Sequence, residues 1–378
     1  MRTPVVDSHG RPLMPCHPAK ARRLIAQGTA HARWSKLGLF YVQLTWEQEP
    51  HNQPLAVGVD PGATYEGYAV VGTKDTVLNL MAEAPSHVKE AVKVRRTMRR
   101  ARRARRCRRR PARFNNRLAG HKRLPPSTRA RWEAKARVVA HLGRIIPLST
   151  VVVEDVQAPP RQGKGGTWNT NFSPVQVGKD HLYSLLRGMG LTLRTYEGWQ
   201  TKELRETYSL KKSKSKSRRS FESHAVDAWV LAASATGARQ PTCRRLWYVV
   251  TIRLHRRQLH RLQCAPGGVR PPYGGTRALG FKRGTLVRHP RYGLASVGGC
   301  DRLKGTISLH EYRTNKRLTQ RVKGTTLVTL TWTPYRTYLV SEARPTTRLT
   351  LLKRSPHAGF PPPTAKAGRS PRLKAGSL

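Results

Sequence analysis

Three places in the chain set a carboxylate against apolar surface. Asp60 ends the run Leu55-Ala56-Val57-Gly58-Val59, Glu154 and Asp155 end Val151-Val152-Val153, and Asp227 lies within the apolar stretch 221–235. Only 20 Asp and Glu occur in 378 residues, and beyond Gln240 there are just Asp301, Glu311 and Glu342, so these acids are not drawn from an ordinary acidic surface. A carboxylate beside buried apolar surface is costly unless it is paired or bound to metal, and an Arg partner would satisfy any one of them. Three converging at one sheet edge would offer hard oxygen ligands without a His or Cys cage. Mg²⁺ or Mn²⁺ accepts that donor set and leaves positions for water and phosphate oxygens. Two such ions about 4 Å apart can activate a water on one side of a phosphodiester and stabilise the leaving oxygen on the other. His224 stands three residues before Asp227, on the same face if the segment is one helix, where it could orient the attacking water or take its proton. A packing histidine is the plainer reading of it. Gly58 and Gly62 keep the backbone slim beside Asp60, as an ordinary turn would also require.

The elements that must position these groups are legible as a β-rich opening followed by alternating helices and strands. Residues 55–59 read as a buried strand ending in a tight turn at 60–64, and strands at 67–72 and 76–82 follow at hairpin spacing. A helix over 127–144 precedes the strand around 151–153, whose unbroken valines suit a parallel strand buried on both faces. Residues 163–171 read as a loop, 175–189 as a helix, 191–196 as a strand and 221–235 as one apolar helix. That order describes an α/β domain. Ahead of it, 11–18 is turn-prone, 19–27 helical and 39–46 strand-like. Beyond residue 240, short strand-like segments at 247–254, 285–289, 305–309, 325–331 and 335–340 suggest one or two small β-barrel-like domains.

Charge narrows the partner. Lys and Arg number 72, for a formal net charge of +52, which excludes an ordinary metabolic enzyme and points to a polyanion, nucleic acid first. Eleven of the sixteen positions 95–110 are Arg: Arg95, Arg96, Arg99, Arg100, Arg102, Arg103, Arg105, Arg106, Arg108, Arg109 and Arg110. Arg and Ala favour helix, and Pro111 would stop it. A helix with Arg on every face needs phosphate on several sides; a disordered basic arm is the alternative. Cys16, Cys107, Cys243, Cys264 and Cys300 form no CxxC pair, so neither a disulfide framework nor a zinc ribbon is expected. Residues 1–18 lack the apolar core of a signal peptide and no stretch reaches membrane-spanning length, so no membrane partner and a soluble, cytoplasmic protein are expected.

With these features in place, a family resemblance becomes specific. Ala56-Val57-Gly58-Val59-Asp60-Pro61-Gly62, Val151-Val152-Val153-Glu154-Asp155 and Glu222-Ser223-His224-Ala225-Val226-Asp227-Ala228 resemble the three split motifs of a RuvC-like nuclease with the RNase H fold. The Arg-rich segment resembles the bridge helix of RNA-guided nucleases. Pro12-Leu13-Met14-Pro15, followed by Cys16-His17-Pro18-Ala19-Lys20-Ala21-Arg22, resembles the amino-terminal PLMP motif of the transposon-encoded IscB and IsrB proteins. IscB carries an HNH nuclease between its second and third motifs. Here His181 is the single histidine between Glu154 and His224, and the segment is already used by a core helix and strand, so the chain resembles the HNH-lacking IsrB family.

That resemblance implies an RNA-guided DNA nickase that cuts the displaced, non-target strand. Asp60, Glu154 and Asp227 would hold two Mg²⁺ (or Mn²⁺) ions, His224 would be the activating group, and Asp155 is the neighbour most easily confused with Glu154. A guide RNA (ωRNA) and target double-stranded DNA would be the partners of a monomer in a ribonucleoprotein, with the bridge-helix arginines on backbone phosphates. The implied division is a PLMP domain 1–53, RuvC-I 54–88, bridge helix 89–118, RuvC-II 119–165, RuvC-III 166–240, a β-rich region 241–343 reading the target-adjacent motif or gripping a guide-RNA stem, and a basic tail 344–378 expected to be disordered. Lys282, Arg283, Arg288, Arg291, Lys316, Arg317 and Arg321 are its candidate contacts. Two other readings stand beside this one: a non-catalytic structural RNA-binding protein, and an RNA-independent RuvC-like resolvase or transposase. Asp60-Pro61-Gly62-Ala63-Thr64 also resembles the phosphate loop of actin-like and sugar-kinase ATPases, but no second acidic-glycine loop or adenosine motif follows.

Overall fold

A computed structural model describes residues 1–104, 124–155, 174–251 and 277–340. The expected loop at 163–171, Arg105, Arg106, Arg108, Arg109 and Arg110, residues 252–254 and the tail lie outside the described residues.

The amino-terminal module is a four-stranded sheet, ordered β2-β1-β4-β3, with one helix: β1 (Thr3–Val6), β2 (Pro12–Cys16), α1 (Pro18–Ala26), β3 (Ala30–Trp34) and β4 (Phe40–Leu44). The run read as a turn is strand β2. It tolerates Pro12 and Pro15 because it is an edge strand, where a missing backbone donor costs no ladder bond. Strands β1 and β3 are not among the elements expected from the sequence.

Next come β5 (Leu55–Asp60), β6 (Tyr65–Gly72), β7 (Thr76–Glu83), α2 (His87–Ala104), α3 (Pro126–Gly143), β8 (Thr150–Asp155), α4 (Pro174–Arg187), β9 (Thr192–Glu197), α5 (Gly198–Thr207), α6 (Phe221–His224), α7 (Val226–Thr236) and β10 (Leu246–Thr251). The carboxy-terminal elements are β11 (Arg277–Ala278), β12 (Phe281–Lys282), β13 (Thr285–His289), β14 (Gly293–Asp301), β15 (Thr306–Glu311), β16 (Arg317–Lys323), β17 (Val328–Trp332) and β18 (Tyr335–Leu339). The central sheet runs β18-β10-β7-β6-β5-β8-β9. Strand β6 is antiparallel to β5 and β7, while β5, β8 and β9 are parallel, giving the mixed sheet of an α/β fold. Strands β10 and β18 correct one expectation: both extend this sheet instead of joining a separate barrel. The remaining long carboxy-terminal strands form an antiparallel sheet ordered β16-β15-β14-β13-β17.

Side-chain alternation sorts the sheet into two faces. Val57, Val59, Tyr68, Val70, Val151 and Val153 pack against Trp132, Val139 and Leu142 of α3 and Leu182 and Leu186 of α4. Ala56, Ala69, Val71 and Met81 face α7. Helix α7 is buried from Val226 through Ala233, which explains its apolar composition on every side. It can approach because β5 and β6 present glycines to it. A Cβ on Gly58 would stand 1.8 Å from the Ala228 carbonyl oxygen, and one on Gly67 would stand 2.0 Å from that of His224. Gly58→Val is therefore expected to force α7 off the sheet at a cost of about 3 kcal/mol or more. A shift of the denaturation midpoint by urea would measure it; an unchanged midpoint would show that the helix is not so tightly seated.

Candidate metal centre

The same alternation aims the acids. Val57 and Val59 point toward α3 and α4, so Asp60, one residue on, points toward α7. Val151 and Val153 do likewise, so Glu154 also faces α7 while Asp155 faces α4. There Asp155 accepts from Lys179 and, at 2.8 Å, from the Tyr183 hydroxyl. Strands β5 and β8 pair in parallel with Val59 opposite Val153, which sets Asp60 beside Glu154. Asp227 enters from the first turn of α7. The three carboxylates offer oxygens that all lie within 4.8 Å of one another.

The cluster cannot carry three unshielded negative charges. Burial, then the nearby Asp60 carboxylate to which its own carboxyl donates, pushes Glu154 up to about 8. Asp60 is also raised, by burial first, against the opposing pull of Lys212. Lys212 pairs with Asp227 and lies 3.9 Å from Asp60, supplying a cation in the midst of the acids. Arg205 stands 3.1 Å from Asp227, yet Asp227 Oδ1 is buried with no donor aligned on it. An orphaned carboxylate oxygen, two neighbouring hard oxygen donors and a carboxyl that keeps its proton for want of positive charge fit a divalent cation.

That fit has a measurable sign. Glu154 in the folded chain binds a proton that the unfolded chain releases near its ordinary 4.5, so metal-free stability falls as pH rises from about 4.5 to about 8. Divalent cation must displace that proton, so Mn²⁺ affinity is expected to rise through the same window. Thermal midpoints across pH, with chelator and with Mn²⁺, check both slopes; parallel curves would show that Glu154 does not ligate.

The spacing argument for His224 assumed a single helix, which the chain does not form. Residues 221–235 are not one helix: the chain breaks at Ala225, with φ −126° and ψ −8°, so the three-residue spacing to Asp227 does not put the two on a common face. At the break the His224 carbonyl nests against Gly67. The buried imidazole packs edge-on to Tyr65, with centroids 5.0 Å apart, and is held by the backbone carbonyls of Lys216 and Arg218. Burial lowers its basicity, and Nε2 is left without a hydrogen-bond partner.

The basic candidates divide between several places. Helix α2 extends through Arg102 and Arg103, and Arg95, Arg96, Arg99 and Arg100 on it are exposed. In the carboxy-terminal sheet, Lys282 lies over Trp332, Arg288 over Trp34 and Arg291 over Tyr292, and Arg283 is half-buried. Arg317 and Arg321 lie on edge strand β16, with exposed Lys316 just before it. Three strand spacings, roughly 14 Å, separate β16 from β13, so these seven residues do not form one patch. Lys212 and Arg205 escaped the sequence reading because nothing distinguishes Lys212 from its neighbours in the basic run 211–219, and α5 was not foreseen.

Residues 3–166 match the family model described as RRXRR protein. The arginine run carries an Arg-Arg-X-Arg-Arg pattern three times, at 99–103, 102–106 and 105–109. The chain matches no curated protein. Among solved structures it is similar to T. thermophilus RuvC in complex with Holliday junction substrate, at 17% identity and a TM-score of 0.27, over 50% of this chain and 99% of that one. A second Thermus thermophilus RuvC structure matches at 15% identity over the same shares, also with a TM-score of 0.27. Among the described residues, no helix is long and apolar enough to cross a membrane.

Proposed function

We propose that this chain is an ωRNA-guided DNA nickase of the IsrB type, working in the prokaryotic cytoplasm as a monomer within a ribonucleoprotein. The observation that carries the nuclease reading is the convergence of Asp60, Glu154 and Asp227 within 4.8 Å on the α7 face of an RNase H-like sheet. Guide dependence is supported by the PLMP and split RuvC motif resemblances, and the charge of +52 suits a large RNA partner.

Asp60, Glu154 and Asp227 would hold the divalent ions, whose positive charge would serve where Lys212 now sits between Asp60 and Asp227. When bound, Mg²⁺ or Mn²⁺ supplies Lewis-acid stabilisation of the phosphoryl oxygens and makes a bound water nucleophilic at neutral pH. His224 is kept neutral by burial, and its unpaired Nε2 is suited to accept the proton released as water attacks phosphorus and the ester P–O bond breaks. Helix α2, as the bridge helix, sets its exposed arginines on phosphates of the guide-bearing duplex, where planar guanidinium forks grip oxygens in pairs. The carboxy-terminal sheet grips the target-adjacent duplex or a guide-RNA stem.

One acidic site cuts one strand. Protein co-purified with its flanking RNA is incubated with Mg²⁺ and supercoiled plasmids bearing a guide-matched target beside randomised flanks. Open circles confined to matched plasmids support the proposal. Linear product would require a second active site, and tight RNA binding without cutting would favour a structural RNA-binding protein.

A further inference from the structure

Trp199 has no role in the site as described, yet it stands at the rim. It is the most exposed aromatic side chain among the described residues, at 63%. Single exposed apolar residues are common and by themselves mean little. Three observations set this one apart.

The first is place. Strands β5, β8 and β9 are parallel, so their carboxyl ends share one edge of the sheet. Tyr196 on β9 pairs with Glu154 and Glu197 with Asp155, after which the chain turns directly into α5. A Cβ on Gly198 would lie 3.4 Å from Glu154 Oε1, so the residue before Trp199 borders a carboxylate of the cluster. The second is rigidity. The indole N–H donates to Glu197 at 2.6 Å, and Glu197 and Gln200 close a capping box at the start of α5, with Thr201 buried beneath. The third is charge. Lys202 on the helix pairs with Glu206 at 3.7 Å, while the connector that follows carries exposed Lys211, Lys214 and Lys216.

A rigid, solvent-facing indole at the rim of the acid cluster, on a helix followed by a lysine-rich connector, is a stacking platform for a nucleobase, since every base has a π-face and stacking tolerates any sequence. We infer that Trp199 stacks on a base of the single strand being cut, next to the scissile phosphate, and so helps to hold that phosphate over Asp60 and Glu154. The inference rests on reading the acid cluster as a phosphodiester-cleaving site. Trp199 is a positioning residue, because it grips a neighbouring base and not the reacting atoms.

The test is photochemical mapping. Asp60→Asn ribonucleoprotein, which retains DNA without cutting it, is bound to bubble DNA in which 5-iodouridine is moved one position at a time across the displaced strand. After irradiation, crosslinked peptides are sequenced by mass spectrometry. The expected result is a crosslink to Trp199 from a position flanking the cut. In the uncrosslinked, Asp60-containing enzyme, W199A should lower the single-turnover cutting rate about tenfold, and W199F should recover most of it. Crosslinks confined to other residues, or W199A cutting at the wild-type rate, would overturn the platform while leaving the nuclease reading intact. A crosslink at Trp199 with no Asp60-dependent cutting by the wild type would instead remove the nuclease reading, and with it this placement.

Discussion

Asp60→Ala is expected to abolish Mg²⁺-dependent nicking, lowering the rate by three orders of magnitude or more, while RNA binding stays at the wild-type level. Three orders correspond to about 4 kcal/mol of lost transition-state stabilisation, a modest demand on a residue that would hold metal. The geometry makes the expectation specific. Asp60 is the central member of the cluster, next to Glu154 across the β5–β8 pairing and near Asp227 below α7. In the proposed reading the phosphate contacts lie on other elements, notably α2, so binding and cutting should separate. Plasmid relaxation beside filter binding of the RNA measures the two. Equal loss of both would mean that Asp60 serves folding, and retention of cutting would remove the acid cluster as the active site.

The second large effect lies on the opposite face of the same sheet. Glu66 and Lys135 form an ion pair at 2.7 Å whose side chains are 1% and 4% exposed, and the Tyr68 hydroxyl donates to the other Glu66 oxygen at 2.6 Å. Lys135 also lies over the Trp132 ring. Glu66→Gln or Lys135→Met alone leaves a charge buried without its counterpart, at a cost of about 3–5 kcal/mol. Against a typical total of 5–15 kcal/mol, either change would bring the domain close to unfolding. Replacing both with apolar residues should cost less than either single change, because no orphaned charge remains. Guanidinium denaturation of the two single variants and the double variant measures the cycle. Single-variant costs below about 1 kcal/mol would show that water reaches the pair.

Both arguments follow from the period of two along β5, β6 and β8. It sends Asp60, Gly67 and Glu154 to one side and Glu66 and Asp155 to the other. A sequence shows that alternation but not which side a helix will cover. Thus Asp155 could be mistaken for Glu154 until α4 supplied Lys179 and Tyr183. The apolar run 221–235 reads as one helix because every residue type in it allows helix; in the structure it breaks at Ala225, next to the place where the His224 carbonyl meets Gly67. Segments beyond residue 240 resemble one another as short strands, and pairing alone separates β10 and β18, which extend the central sheet, from β13–β17.

By itself the sequence determined what local rules govern: the strands that carry Asp60 and Glu154, the arginine helix, the charge that calls for a polyanion, and the scarcity of acids that marked three positions. Tertiary structure alone decided which carboxylates meet, that Lys212 and Arg205 supply the counter-charge, that His224 packs edge-on to Tyr65, and that Trp199 stands exposed at the rim. The reason is physical. Helix and strand preferences act between residues a few positions apart, whereas a site is made by contacts between chain segments far apart in sequence, and those depend on which faces the glycines of β5 and β6 allow to touch.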